Sequence, residues 1–409
     1  MKNSVSHSGS TAEVGHLEAG AAQPAYLSRR AAYLFAAAAG LAVANVYYAQ
    51  PLLDSIAGEF GIARSTIGIV VTVTQICYAL GLLLLVPLGD LLNRRKLIGA
   101  QMLLSVAALL AVGFSSSSAT LFVGMAAVGG LAVVTQTLVA YAAALASPAE
   151  RGRIVGLVTS GIVIGILLAR SFAGLLADMG GWRAVYFASA ALTSVMAVAL
   201  LRTLPLREPA SESVTYLGLL RSMLALFAQE RILRVRAVLA MLIFAAFSIL
   251  WTSLALPLSA PPFSLSHTAI GAFGLAGAAG AMAAARAGRW ADRGLGQRTT
   301  GAALLLLLVS WLPIGMTPHS LFALLAGIVL LDAAVQAVHV TNQSLILAVR
   351  PEARSRLTAG YMMFYSFGSA AGSIASTMTY HAAGWTGVCL LGAAVSAAAL
   401  LFWLFTRRP

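Results

Sequence analysis

The chain has 409 residues, of which 60% are hydrophobic and only 10% charged, with a mean hydropathy of +0.89. Soluble proteins carry about 25% charged residues, so the composition excludes an ordinary soluble protein and implies one that crosses a membrane many times. The excess of 26 basic over 13 acidic residues, a net charge of +13, argues for membrane topology rather than a nucleic-acid partner, because the charges gather in short segments between apolar runs.

Residues 1–28 mix Ser, Gly, Ala and His with little periodicity and read as a disordered cytoplasmic tail. No apolar core precedes Arg29-Arg30, so no signal peptide is expected. Twelve apolar runs follow, each near the ~20 residues that cross the hydrocarbon. They cover 31–53, 66–89, 97–114, 119–146, 154–177, 184–201, 237–258, 269–287, 299–316, 320–349, 357–383 and 385–406. With the N-terminus in the cytoplasm, all Lys and Arg except Arg64, Arg170 and Arg183 fall in or beside cytoplasmic segments, as the positive-inside bias requires. Both termini are then cytoplasmic. Cys77 and Cys389 lie inside apolar runs and read as small hydrophobes, not as a disulfide or metal pair.

Span one holds a polar cluster of Asn45, Tyr47, Tyr48 and Gln50-Pro51. Asn45 and Tyr48 share a face by helical spacing; they either line a cavity or form interhelical hydrogen bonds. Gln75 and Tyr78 of span two pose the same choice. The next turn, Leu88-Gly89-Asp90-Leu91-Leu92-Asn93-Arg94-Arg95-Lys96, is basic with one acid at its head. Asn at 93 suits a left-handed turn. Span four offers Thr135, Gln136 and Tyr141. Span five combines Gly161-x-x-x-Gly165, which permits close helix approach, with Arg170, a permanent cation at hydrocarbon depth. Arg170 either serves function or snorkels to the periplasmic surface and pairs with Asp178.

From Arg202 to Arg236 the chain turns polar and basic, and Pro205 and Pro209 stop any helix continuing from span six. Within this linker Tyr216, Leu220, Met223 and Phe227 repeat at helical spacing opposite Arg221 and Gln229. That pattern predicts a helix on the membrane surface or one packed on the helices above it. In span ten, Asp332, Gln336, His339 and Gln343 fall on a stripe about 60° wide that runs ~16 Å along the helix. Cavity lining is the expectation, with a satisfied polar seam as the alternative. Met362, Ser366, Ser369, Ser373 and Tyr380 make a second stripe in span eleven, read chiefly as packing.

The acid at 90 recurs at 292, in Gly288-Arg289-Trp290-Ala291-Asp292-Arg293, about half a chain away. At nearly the same offset Pro148-Ala149-Glu150-Arg151 is echoed by Pro351-Glu352-Ala353-Arg354, Gly165 by Gly368, Gly181-Trp182 by Gly384-Trp385 and Ile67-Gly68 by Ile270-Gly271. The chain is therefore a duplicated unit. Over roughly residues 29–408 it resembles the major facilitator superfamily of secondary transporters, whose signature between the second and third helices is Gly-x-x-x-Asp-Arg-x-Gly-Arg-Arg. Val86, Leu91 and Asn93 depart from that signature in the first copy, while Gly288, Asp292 and Arg293 keep it in the second.

The expected fold is an all-α membrane protein with twelve transmembrane helices in two pseudo-symmetric six-helix bundles, residues 29–204 and 237–409, joined by a cytoplasmic linker at 205–236. The resemblance implies gating roles for Asp90, Arg94, Arg95, Asp292 and Arg293, with Asp90 docking near the start of span eleven by Arg356. No Walker loop, nucleotide-binding domain or Cys/His cluster with metal spacing is present in the sequence, so neither enzyme chemistry, cofactor nor metal is expected, and an ion gradient would supply the energy. Likeness to the bacterial drug and metabolite exporters makes proton-coupled efflux of a small organic molecule by a monomer in the inner membrane the first expectation. Proton-coupled uptake and a non-transporting sensor are the alternatives. Arg170, Asp332 and His339, with Asn45, Tyr48, Gln75, Gln136, Gln336 and Gln343, are the candidate substrate or coupling residues.

Overall fold

The computed structural model describes residues 27–147, 150–204, 215–283, 290–350 and 353–407, without the side chains of Asp90, Ala281, Ala283, Ala291 and Asp292. Residues 1–26 of the expected tail at 1–28, the first part of the linker and Gly288 lie outside the described residues, whereas Ser28 caps span one and the Leu27 N–H donates to the Leu145 carbonyl.

Among the described residues, nine helices are long and apolar enough to cross a membrane. One of them, Arg354–Thr406, contains spans eleven and twelve, broken at Gly384. Span eight, His267–Ala283, and an interrupted span one complete the twelve. Span one runs from Arg29 to Ala44, breaks at 45–49, and resumes as Leu53–Phe60, beyond the predicted end. The break has a local cause. Pro51 lacks an N–H and its ring excludes the carbonyl four residues back, and Val46, Tyr47 and Gln50 bond to carbonyls three residues back instead.

The duplication is visible in the packing. Span one lies on five, two on four and three on six, and the second half repeats this as seven on eleven, eight on ten and nine on twelve. Gly165 lets span five approach the backbone of Gly40, and its echo Gly368 approaches that of Met241 in span seven. Gly181 and Gly384 have φ of 76° and 62°, values that disfavour any residue with a Cβ. Each is followed by a buried tryptophan, Trp182 or Trp385.

Asn93 has φ −58°, not a left-handed value, and its side chain accepts from the Lys96 N–H at 3.0 Å, capping span three. The left-handed residue of the second loop is Gly294, at φ 79°. Span seven begins at Arg231 rather than 237, so Arg236 is a buried helical residue and not the end of the linker. The linker helix Tyr216–Gln229 forms as expected, and packs rather than lying free. Phe227 stacks on Phe364 with ring centroids 5.3 Å apart, the Arg356 guanidinium donates to the Ser222 hydroxyl, and the Tyr216 hydroxyl donates to the Leu84 carbonyl.

The halves meet along two crossings related by the same duplication, span two with eleven and span five with eight. Thr72 donates to the Ala370 carbonyl and Ser171 to the Gly271 carbonyl, both at 2.9 Å. Gly68 sits on the backbone of Ser373, and its echo Gly271 on that of Arg170. These contacts draw the halves together toward the helix ends remote from Arg29 and Thr406. At the other end the described hydrogen bonds between halves run through the linker helix. A Cβ at Gly271 would collide with the Arg170 carbonyl. Gly271→Val should therefore open the sealed end, read as faster thiol labelling of a cysteine at Ser171 in a background lacking Cys77 and Cys389; unchanged labelling would refute this reading of the seam.

Candidate functional site

The site begins with Arg170. It is 2% exposed and does not reach Asp178. The snorkelling alternative is thus overturned: Asp178 is engaged across the seam by the His267 and Thr268 backbone N–H groups at 3.1 and 2.8 Å and by His267 Nδ1 at 3.0 Å. Arg170 Nε donates to Gln50 Oε1 at 2.9 Å, and the guanidinium carbon lies 3.9 Å from the Trp251 ring centroid, 5.2 Å from that of Phe247 and 5.4 Å from that of Tyr47. Aromatic faces partly replace the water that a buried cation loses.

The same indole serves an anion at its edge. Trp251 Nε1–H donates to Asp332 Oδ1 at 3.2 Å, and Asp332 is 2% exposed. Arg170 and Asp332 interact electrostatically but make no direct ion pair, because Trp251 lies between them. Arg170 Nη1 and Nη2, Gln50 Nε2 and Asp332 Oδ2 are buried without protein partners. Such groups are costly unless satisfied. A narrow gap beside Arg170 and Gln50 is lined by these two with Pro51, Trp251, Leu254 and Ile270, while Asp332 Oδ2 lies against Gly277 of span eight. Counting along the helices at 1.5 Å per residue, Arg170 and Asp332 lie about 15 Å from the sealed ends of spans five and ten, half of a ~30 Å hydrocarbon.

The predicted stripe of span ten divides. Asp332 faces Trp251, whereas His339, about 10 Å further along the helix, places Nδ1 2.9 Å from the Tyr361 hydroxyl with its ring edge-on to Phe244. Asn342 joins that second group, accepting from Arg236 at 3.1 Å, and Arg236 also bonds Thr300. Gln336 and Gln343 are part-buried on the same helix. Between the two groups, the Tyr47 and Tyr365 hydroxyls are hydrogen-bonded across the halves.

Other candidates sit elsewhere. Asn45 accepts from Ser189 at 2.6 Å, and the Tyr48 hydroxyl lies near the same serine, so their shared face looks onto span six. Gln136 lies by the Tyr78 hydroxyl between spans four and two, with buried Gln75 close to Tyr78 in sequence. Arg94 Nε donates to the Gly89 carbonyl and Arg95 to the Leu201 carbonyl, at 2.9 and 2.6 Å, tying the first loop to span six, while Arg293 is exposed. The span-eleven serines bond mostly to their own helix, as packing residues do.

Sequence reasoning missed Tyr47 as a central residue, together with Trp251, Tyr361, Tyr365, Asn342 and Arg236. Trp251 sits in an unbroken apolar run and offers no signal of its role. Asn342, three residues beyond His339, could have been found by widening the stripe.

The sequence profile described as Major Facilitator Superfamily matches residues 35–301 and 236–409. The chain belongs to this superfamily. The uncharacterized transporter YgaY of Escherichia coli O157:H7 is 50% identical over 370 residues, covering 90% of this chain and 94% of that one. The protein named Probable transporter SCO4007, from Streptomyces coelicolor, is 33% identical over 362 residues, 88% of this chain and 84% of that one. Superfamily folds of known structure superpose well. A bacterial homologue of the human lysosomal transporter Spinster, inward-facing and occupied, gives a TM-score of 0.75 at 16% identity over 93% of this chain and 96% of that one. The human organic anion transporter MFSD10 gives 0.65 at 21% identity, over 91% and 97%. The chain is thus a multi-pass transporter of the superfamily with its two six-helix bundles.

Proposed function

We propose that the protein is a proton-coupled exporter of a small organic molecule, acting as a monomer in the bacterial inner membrane by alternating access between the bundle of spans one to six and that of spans seven to twelve. The observation that carries this reading is Asp332, a carboxylate buried at mid-membrane with one oxygen unpartnered and Arg170 across an indole. A proton bound there changes the charge of a low-dielectric site by one unit, and two conformations that solvate the carboxylate differently must bind that proton with different affinity. His339, beyond the Tyr47–Tyr365 pair, is the second titratable group on the way to the opposite end. Asp90, Arg94 and Arg95 in one loop, with Asp292 and Arg293 in the other, act as cytoplasmic gates when that end closes.

Reconstituted vesicles containing a pH-sensitive dye test the function directly. Substrate added to one side should drive proton movement the other way; net substrate movement without proton movement would overturn the coupling. Orientation has its own test, motivated by the charge asymmetry. Arg202 and His319 are both exposed, at opposite ends of the helices. In intact cells an impermeant thiol reagent should label His319→Cys and spare Arg202→Cys; the reverse would invert every loop assignment.

A further inference from the structure

Taking the transporter reading as its basis, we propose that the substrate is a small zwitterion with an apolar body, its anionic group held by Arg170 and Gln50 and its ammonium by Asp332. The unpartnered atoms at the site define this preference. Arg170 Nη1, Arg170 Nη2 and Gln50 Nε2 are donors, whereas Asp332 Oδ2 is an acceptor, and all four are buried. An anion alone would satisfy the donors and leave the carboxylate bare; a cation alone would do the reverse.

Trp251 sets the spacing. Its face carries the guanidinium at 3.9 Å from the ring centroid and its Nε1–H edge holds Asp332 Oδ1 at 3.2 Å. The ring stops the two charges from collapsing onto each other, which would consume the site. In an α-amino acid one carbon separates ammonium from carboxylate, so two groups that each hydrogen-bond at about 2.9 Å match the short spacing that a single indole imposes between Arg170 and Asp332, the ammonium reaching Oδ2 on its Gly277 side. Leu254, Ile270 and Pro51 line the adjacent gap, so the remainder of the substrate meets apolar surface. The arrangement also suits exchange, because Asp332 can hold a proton or an ammonium but not both.

The test uses purified full-length protein and calorimetric titration. L-leucine, L-methionine and L-phenylalanine are each compared with the matching deaminated carboxylate and decarboxylated amine. At least one amino acid should bind ten times or more tightly than both of its singly charged analogues. In Asp332→Asn that preference over the carboxylate should vanish while carboxylate binding persists, and in Arg170→Gln the preference over the amine should vanish, with partial recovery in Arg170→Lys. Thermal unfolding without ligand identifies any variant that has failed to fold, and the wild-type comparison stands without variants. Equal binding of zwitterions and single ions, or no binding by any of the three amino acids, overturns the proposal. Proton-coupled export of some other class of molecule would leave the transporter reading intact, whereas zwitterion binding without proton movement would remove the coupling and keep the site.

Discussion

Asp332→Asn abolishes gradient-driven accumulation in vesicles while counterflow at saturating substrate continues. Asn keeps an acceptor for the Trp251 N–H, so the hydrogen bond at 3.2 Å can survive and the fold is spared, but the group no longer takes or releases a proton. Counterflow needs no net proton movement and depends only on binding and reorientation. Weaker binding of the substrate's ammonium raises the concentration needed, by about tenfold for each 1.4 kcal/mol lost, without stopping exchange. His339→Gln should also lower accumulation, since Gln can bond the Tyr361 hydroxyl as His339 does at 2.9 Å but cannot carry a proton. Accumulation that survives both substitutions removes both residues from coupling. Loss of counterflow at every substrate concentration in a folded Asp332→Asn protein would assign that carboxylate to binding alone.

Asp178→Ala releases the sealed end, and His267→Ala, which keeps both backbone N–H donors, loosens it less. Asp178 projects from span five onto the N-terminus of span eight, where it accepts from two free backbone N–H groups and from the His267 ring, and His267 Nε2 lies 2.8 Å from the Ser55 hydroxyl. Helix N-termini expose N–H groups and carry partial positive charge, so a carboxylate there is doubly favoured. The side chains of His267 and Asp178 are about one-third exposed, 31% and 29%, which limits the electrostatic part. A hydrogen bond to a charged group contributes about 1.5–3 kcal/mol; with the exposed clasp worth about one such bond, losing it should shift the conformational equilibrium by about ten- to a hundredfold. Labelling of a cysteine at Ser171 should rise accordingly, and Asp178→Asn, which keeps acceptor capacity, should fall between wild type and Asp178→Ala. Equal labelling in all three would show that the helix crossings alone hold the end shut.

Local rules explain what was readable beforehand. A membrane span needs only a run of apolar residues, so the helices were legible although Pro51 breaks the first one and the seventh starts early, at Arg231. Duplication was legible because each echo keeps the same mechanical task, as Gly165 and Gly368 show by admitting a neighbouring backbone. The span-ten stripe followed from helical period alone, which requires no knowledge of the neighbours.

Tertiary structure decided which stripes meet. Asn45 and Tyr48 do share a face, yet that face meets Ser189, while the adjacent Tyr47 reaches Tyr365 across the halves. Arg170 was conspicuous in the sequence, but its surroundings come from span one through Gln50 and from span seven through Trp251. Arg236, which read as one more basic residue of the linker, is buried with Thr300 and Asn342. Helical phase is a property of a few neighbouring residues, whereas the partner of a polar face is chosen by packing between helices hundreds of residues apart. In a membrane that choice leaves little mark on hydropathy, because lipid-facing and helix-facing positions are both apolar.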